Sequence, residues 1–219
     1  MTIAIIDFLI VAVILIGDLL SKHYAASYLP THGNCYVAIK DVLTFRYSEN
    51  TGAAFGMFEN SRVFLCVFVG LVLAALLGFM IYHIVKGKYK KKGGIFLHVT
   101  LSMILAGGIG NLVDRIAFGY VRDFIEYTVV YTLFKRDFAI CNVADVFLTV
   151  GVILVMIYLI WSTVIEARKE KEKKLAAANE TTSFSAEASV SDEISDDRTE
   201  GPLPIEPEST ESGKEDQDD

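Results

Sequence analysis

The chain is poor in the residues that build disulfide, metal and cofactor sites. Its 219 residues include three cysteines, an odd number at no metal-ligand spacing, and four scattered histidines. A disulfide framework is therefore not indicated, and each histidine is better explained as an interfacial or satisfied polar residue than as a ligand. The sequence contains no Cys-x-x-Cys, no His-Glu-x-x-His and no glycine-rich phosphate loop. It therefore lacks the signatures of a redox motif, a zinc protease and a nucleotide site.

Apolar residues, in contrast, are abundant. The chain is 53% hydrophobic with a mean hydropathy of +0.42, which a soluble domain of this length seldom reaches. The net charge of −7 is unevenly distributed, because residues 1–174 carry 18 basic and 13 acidic residues, whereas residues 175–219 carry 2 and 14. The acidic balance is thus a property of the tail and indicates nothing about a substrate.

Four stretches are long enough to cross a membrane. A hydrocarbon core of about 30 Å requires about 20 apolar residues in a helix. Residues 2–20, 63–85, 95–113 and 143–161 meet or approach that length. The first stretch lacks a basic segment before it and a small-x-small cleavage site after it. It is therefore predicted to be a retained span rather than a removed signal.

Basic residues predict how these spans are oriented. Five lysines lie within residues 86–92, between the second and third spans, and five basic residues lie within residues 168–174, after the fourth. The positive-inside rule places both clusters and both termini on the cytoplasmic side. The longer connections, about 21–62 and 114–142, are then extracytoplasmic.

The two outer connections contain predicted strands. Residues 37–50 alternate apolar and polar side chains, and residues 118–140 are rich in aromatic and β-branched residues. We expect an all-α polytopic membrane protein of four helices, with a small β platform on its outer face. The predicted organisation is a membrane domain at 1–165, a basic segment at 166–174 and a disordered acidic cytoplasmic tail at 175–219.

The third span ends with polar residues that the membrane makes costly. Asn111, Asp114 and Arg115 are separated by three and four positions, which places them on one side of a helix. Three glycines within residues 107–110 make that helix slim and permit close approach. The alternative is a helix end that merely reaches the interface, with Arg115 extending towards water.

Other polar residues fall at the same end of the predicted bundle. Asp18 and Lys22 are spaced for pairing on one helix face, although an interfacial salt bridge would have the same spacing. Asn50 follows a predicted strand, where ordinary turn chemistry also explains it. Asn142 and Asp145 begin the fourth span, where helix capping is the alternative.

These groups together suggest a catalytic pair. Asp114 and Asp145 come from facing helix ends at one membrane depth, where two nearby carboxyl groups would share a proton. In an aspartic protease the ionised member takes a proton from water, and the protonated member polarises the scissile carbonyl and then donates to the leaving amine. The sequence offers no Ser/His or Cys/His arrangement that competes for this role.

Five motifs, in order along the four spans, resemble the lipoprotein signal peptidases, the signal peptidase II family. They are DLLSK at 18–22, NTGAAFG at 50–56, GGIGNLVDR at 107–115, GYVRDF at 119–124 and NVAD at 142–145. The resemblance implies an intramembrane aspartic endopeptidase of the bacterial cytoplasmic membrane, with its active site near the outer leaflet. Such an enzyme removes the signal peptide of lipid-modified prolipoproteins just before the diacylglyceryl-cysteine.

The resemblance also implies the residues of the site. The catalytic carboxylates fall on Asp114 and Asp145. Supporting and substrate-binding roles fall on Asp18, Lys22, Asn50, Asn111, Arg115 and Asn142. Asn50 and Arg115 are expected to hold the substrate, and Asn111 and Asn142 to orient the aspartates. The implied partners are lipid-modified prolipoproteins and membrane lipid, with no metal, organic cofactor or nucleic acid.

The chain departs from the family pattern at three places. Leu19 stands where the first motif usually has Gln, Cys141 stands where an aromatic residue usually precedes the final Asn, and the segment between Asp123 and Asn142 is longer than expected. These departures spare both aspartates and affect the shape of the second outer connection, and with it the substrate preference.

Two other classes of protein, a transporter and a membrane scaffold, explain the sequence less well than a peptidase does. An ion-coupled transporter would need polar residues through the span centres or at broken helices, and the middles of the second and fourth spans have almost none. A membrane scaffold with a partner-binding tail would leave Asp114 and Asp145 unexplained.

Overall fold

The fold is described from a computed structural model, which describes residues 2–52, 62–135 and 139–196. The helices are α1 (Thr2–Tyr28), α2 (Arg62–Val85), α3 (Gly94–Ala117), α4 (Thr128–Phe134) and α5 (Val143–Asp196). The strands are β1 (Tyr36–Ile39), β2 (Leu43–Asn50) and β3 (Val121–Glu126). The chain divides into two compact units at residue 163, and the site lies within the first.

Within the described ranges, α1, α2, α3 and α5 are the four helices long and apolar enough to cross a membrane, which confirms the four predicted spans. Three helices are longer than the apolar stretches that predicted them. Helix α1 continues to Tyr28 and α3 to Ala117. An apolar stretch marks only the part of a helix that fits the hydrocarbon, whereas the helix itself ends where its backbone hydrogen bonds end.

Helix α5 also continues beyond the predicted span, to Asp196. The disorder predicted from residue 175 therefore differs from the structure as far as residue 196, and residues 197–219 lie outside the described part of the chain. Glu, Lys and Ala, which have high helix propensity, are frequent in residues 166–178 and favour helix just beyond the predicted span. Lys174 and Glu170 form one i,i+4 ion pair at 2.7 Å on its exposed surface.

Helix α3 is the centre of the bundle. Of its most apolar stretch 61% is buried, against 22% or less in the other three long helices. Its leucines 97, 101 and 105 pack against Leu73 and Met80 of α2. Large apolar side chains remain exposed along α1, α2 and α5, as expected of surfaces that face lipid.

The three strands form one antiparallel sheet in the order β1-β2-β3, which confirms the predicted β platform. In the pairing of β2 with β3, Ser48 lies opposite Asp123 and Asn50 opposite Val121. The aromatic segment after β3 was also expected to pair as strands, but it folds instead as the short helix α4. Local β propensity yields there to tertiary context, as it often does in short segments.

The sheet packs on the end of α1. Ala25 and Leu29 form a small buried cluster with Phe124 of β3, and Phe45 of β2 packs against it. This contact places the ends of β2 and β3 beside the ends of α3 and α5 that carry the predicted polar residues. We call this the sheet end of the bundle.

A second polar cluster lies within the helices, away from the sheet. His98 on α3 is fully buried, and its Nδ1 lies 2.8 Å from Asp7 Oδ2 of α1. Its Nε2 lies 3.1 Å from His83 Nδ1 of α2. Ser102 donates to the other oxygen of Asp7. The histidines at 83 and 98 are thus satisfied polar residues, as the sequence predicted.

Candidate active site

Asp114 is completely buried at the end of α3 and is held by two cations. Arg122 Nη2 donates to its Oδ1 at 2.7 Å, and the Arg122 backbone N–H and Nε donate to its Oδ2 at 3.0 and 3.2 Å. Lys22 Nζ lies 3.6 Å from the same Oδ2. The structure therefore pairs Asp114 with Arg122 and Lys22, whereas the sequence predicted a pair with Asp145.

Lys22 and Asp18 form the pair that their spacing predicted. Lys22 Nζ lies 2.8 Å from Asp18 Oδ2, and both side chains are fully buried. The same ammonium group donates to Asn111 Oδ1 at 2.9 Å. The backbone N–H of Ala144, in the first turn of α5, donates to the other oxygen of Asp18 at 2.8 Å. This network joins α1, α3 and α5 at the sheet end.

Asp123 of β3 is the buried carboxyl group that the sequence motifs contained but did not assign. Asn142 Nδ2 donates to its Oδ1 at 2.6 Å, and Asn50 Nδ2 donates to its Oδ2 at 3.0 Å. Burial raises the pKa of Asp123 to about 6, and the neighbouring charge of Asp145 adds to that shift. The hydrogen bonds from Asn50 and Asn142 oppose it. Near neutral pH this carboxyl group is thus close to its titration point.

Asp145 begins α5 in a capping box with Asn142. The Asp145 backbone N–H donates to Asn142 Oδ1 at 2.9 Å, and the Asn142 backbone N–H donates to Asp145 Oδ2 at 3.2 Å. Asn111 Nδ2 donates to Asp145 Oδ1 at 2.7 Å. Asn142 therefore hydrogen-bonds to both Asp123 and Asp145. It caps helix α5, as the alternative explanation from the sequence had it, and it also belongs to the site.

A cavity of about 560 Å³ opens beside these groups. Its polar lining includes Asn50, Arg115 and Asp145, and its less polar lining includes Cys141 and Val150. Arg115 donates to the backbone oxygens of Asn111 and Gly52 at 3.3 and 3.2 Å. Of the two carboxyl groups that Asn142 holds, Asp145 is the one that lines the cavity.

The glycines of α3 permit the close approach that the sequence predicted. A Cβ atom at Gly107 would collide with the backbone oxygen of Ala144, and one at Gly110 would lie 2.5 Å from Asp18 Oδ2. One at Gly108 would meet Leu73 of α2 at 2.5 Å. Gly107 therefore lets the first turn of α5 approach α3, while Gly110 leaves room for Asp18 and Gly108 for α2.

We expect Gly107→Ala to lower the free energy of unfolding by about 1–3 kcal/mol, because the new methyl group must displace α5. Thermal unfolding of the purified protein in detergent measures this. Gly78→Ala is the matched control, because its Cβ meets nothing within 4 Å. Equal melting temperatures for the two variants would contradict close packing at Gly107.

We also expect the stability of the protein to depend on pH through the protonation of Asp123. Its pKa of about 6 in the folded state lies above the unfolded value of about 3.9. The folded state therefore binds this proton more tightly than the unfolded state. The free energy of unfolding is highest at low pH and falls by up to about 3 kcal/mol as the pH rises through 6. Asp123→Asn lacks this loss, so its melting temperature should rise relative to wild type between pH 4.5 and pH 7.5. A difference that is constant with pH would contradict the raised pKa.

Sequence reasoning missed two residues of this site. Asp123 lies in the motif at 119–124, within a predicted strand, whereas the carboxylates predicted to be catalytic lie at helix ends. Arg122 was not considered as a partner of Asp114. The available signal was two adjacent charged residues, Arg122 and Asp123, between the apolar residues of a predicted strand, since a charge that becomes buried there requires a partner.

The four long apolar helices are those of a multi-pass membrane protein, with a buried polar cluster at one end. The family described as Signal peptidase (SPase) II matches residues 10–161. A lipoprotein signal peptidase of Clostridium tetani is 37% identical over 163 residues, covering 74% of this chain and 97% of the relative. One of Caldanaerobacter subterraneus subsp. tengcongensis is 41% identical over 148 residues, covering 66% and 89%.

A solved structure agrees with these relatives. A bacterial membrane enzyme determined by the in meso method at 2.3 Å resolution is 31% identical, with a TM-score of 0.58, and the match covers 72% of this chain and 88% of that one. The chain belongs to the signal peptidase II family and is a protease of the bacterial membrane.

Proposed function

We propose that the chain is an aspartic endopeptidase that removes signal peptides from lipid-modified prolipoproteins, with Asp123 and Asp145 as its catalytic pair. The observation that carries this assignment is Asn142, whose side-chain amide binds Asp123 while its backbone N–H binds Asp145. In this proposal Asp123 replaces Asp114, which the sequence had paired with Asp145.

The distribution of charge supports the same pair. Asp114 is neutralised by the two-pronged contact of Arg122, and Asp18 by Lys22. The two buried cations thus neutralise these two carboxylates. Asp123 and Asp145 instead accept hydrogen bonds from uncharged amides. A pair of carboxyl groups in that setting retains one proton between them.

The proposed reaction requires one ionised and one protonated carboxyl group. Asp145 lines the cavity at the positive end of α5, which suits the ionised member. It takes a proton from a water molecule as the water oxygen attacks the scissile carbonyl carbon. Asp123, protonated, donates a hydrogen bond to the carbonyl oxygen. When the C–N bond breaks, one proton passes to the leaving amine and the pair returns to its starting state.

A cysteine mechanism has little support. Cys141 lines the cavity, but burial raises the pKa of its thiol to about 12, and the charges of Asp145 and Asp123 add to the shift. A thiol with that pKa is protonated and is a poor nucleophile. Among the described side chains, those that line this cavity include no histidine to activate it.

The cavity supports a substrate with a lipid and a peptide part. Val146 and Val150 of α5 give one part of the wall an apolar surface that suits acyl chains, whereas Asn50 and Arg115 offer polar contacts to a peptide backbone. The relatives are lipoprotein signal peptidases. We infer cleavage next to the diacylglyceryl-cysteine, with the lipid against α5 and the scissile bond beside Asp145.

The proposed orientation places the sheet end outside the cell. The lysines at 86–92 lie between α2 and α3, away from the sheet, and the positive-inside rule assigns them to the cytoplasm. Both termini are then cytoplasmic, and the site meets its substrate near the outer leaflet.

The test is cleavage of a diacylglyceryl-modified prolipoprotein by the purified protein in detergent, without added metal. Product mass should place the cut immediately before the modified cysteine. The matched substrate is the same prolipoprotein without the lipid, which should be cleaved at least about tenfold more slowly, because it forgoes the apolar contacts of the cavity. Equal rates would remove lipid recognition from the proposal, and no cleavage of either would overturn it.

A further inference from the structure

A second cavity, of about 360 Å³, lies at the edge of the sheet. It is enclosed by the turn between β1 and β2, the end of β3 and the helix α4, and its lining includes Asp41, Arg46, Glu126 and Thr128. Helix α4 belongs to the segment between Asp123 and Asn142 that is longer than the family pattern leads one to expect. The role of this cavity is therefore a question about this chain in particular.

This cavity adjoins the one beside the catalytic pair. Tyr127 lines both cavities and forms a wall between them. Glu126 follows Asp123 by three residues on β3, a distance of about 10 Å along an extended strand. An extended peptide that starts at the scissile bond covers the same distance in about three residues.

The cavity is also placed to meet the part of the substrate that leaves the membrane. Its lining comes from the sheet and α4, with no contribution from α1, α2, α3 or α5 over the described ranges. The cavity beside the catalytic pair, in contrast, has one wall from α5. A substrate anchored by its lipid against α5 therefore has its mature chain directed towards the sheet.

The charges of the second cavity give it a preference. Asp41 and Glu126 supply two carboxylates, and Arg46 supplies one guanidinium group, whose Nε lies 3.0 Å from Glu126 Oε2. The lining thus carries one excess negative charge. Within the described part of the chain, the Thr128 hydroxyl oxygen is buried without a hydrogen-bond partner, so a polar group remains available to a ligand.

We propose that this cavity binds the mature chain of the prolipoprotein, two to four residues after the lipidated cysteine, and favours a basic side chain there. The inference rests on the proposed function, since it names a further contact of the same substrate. Asp41 and Glu126 attract the basic group, and the walls of α4 and the β1–β2 turn select an extended polar segment.

The experiment uses three diacylglyceryl-modified peptides that differ only in the third residue after the cysteine, which is Lys, Ser or Glu. Wild-type enzyme should give a kcat/KM for the Lys peptide about tenfold above that for the Glu peptide, a ratio reasonable for partly exposed charges. A second pair, with Lys or Glu at the tenth residue after the cysteine, should be cleaved at equal rates.

The variant Asp41→Asn/Glu126→Gln changes the net charge of the lining from −1 to +1. It should abolish or invert the Lys-to-Glu ratio while cleaving the Ser peptide within about twofold of wild type, since that peptide carries no charge for the lining to attract. Asp41→Asn alone should reduce the Lys-to-Glu ratio by about half, and this single variant replaces the double variant in the test if the latter does not fold. Asn tolerates the left-handed backbone of Asp41, whose φ is +60°.

Glu49→Gln is the matched control, because it removes one negative charge from the same sheet at an exposed position outside the cavity. It should leave the ratio unchanged. Equal rates for the Lys and Glu peptides in wild type, or a ratio that the double variant does not alter, would overturn this inference while the proposed function stands. Failure of wild type to cleave the Ser peptide would instead count against the proposed function.

Discussion

Asp123→Asn and Asp145→Asn are each expected to reduce cleavage of a lipidated prolipoprotein by about 10³-fold or more, the range for loss of a general acid or base. Asn has nearly the same shape as Asp and accepts hydrogen bonds at one oxygen, but it neither takes nor gives a proton. Single-turnover assays with excess enzyme in detergent measure the chemical step directly.

Two controls separate chemistry from folding. Each variant should insert into membranes as wild type does and should melt within a few degrees of it at pH 6. Glu49→Gln, a neutralised carboxylate outside the site, should retain full activity. Cleavage by Asp123→Asn at more than a tenth of the wild-type rate would falsify the assignment of Asp123.

Asp114→Asn is expected to fail in a different way, by destabilising the fold. The change leaves the buried charge of Arg122 uncompensated, whereas Lys22 keeps its ion pair with Asp18, and breaking a buried pair costs about 3–5 kcal/mol. Thermal unfolding and yield from membranes should both fall clearly. The exposed pair Lys174–Glu170 provides the comparison, because Lys174→Met should cost less than about 1 kcal/mol.

A double-mutant cycle sharpens this test. Asp114→Asn combined with Arg122→Gln removes both members of the pair, so the double variant should be more stable than the sum of the single changes predicts. An Asp114→Asn protein that melts like wild type and yet cleaves nothing would restore Asp114 to the catalytic pair. The stability and activity of this one variant thus decide between the two assignments.

The spans could be predicted from sequence because they depend on one property. A helix that crosses a bilayer must be apolar over a fixed length, and α2 and α3 differ from the predicted 63–85 and 95–113 only at their ends. The same reasoning placed Asp145 and Asn142 at the start of α5. It also predicted the pair of Asp18 with Lys22, because i,i+4 contacts need no knowledge of the rest of the fold.

The partner of Asp114 depends on information that no local pattern contains. Chain reversal after α3 passes through Gly119, whose φ of +92° favours glycine, and brings both the backbone and the side chain of Arg122 onto the carboxylate. Only this turn decides that Asp114 is neutralised and that Asp123 faces Asn142. The helix α4 was missed for a related reason, since its β-branched residues favour a strand locally, whereas Val129 and Thr132 donate hydrogen bonds to the distant turn between β1 and β2.

The buried ion pairs of the site have a consequence for how the chain is made. Asp18 and Lys22 lie on one helix, and Asp114 and Arg122 are joined by a single turn, so each charge is synthesised close to its counter-charge. As the ribosome delivers α1 to the insertion machinery, the Asp18–Lys22 pair is neutral before α3 exists. The contacts that link distant segments, such as Lys22 to Asn111 and Asp18 to the α5 backbone, are hydrogen bonds that form later. For Asp18 and Asp114, the counter-charge is therefore present in the chain before the rest of the bundle has been made.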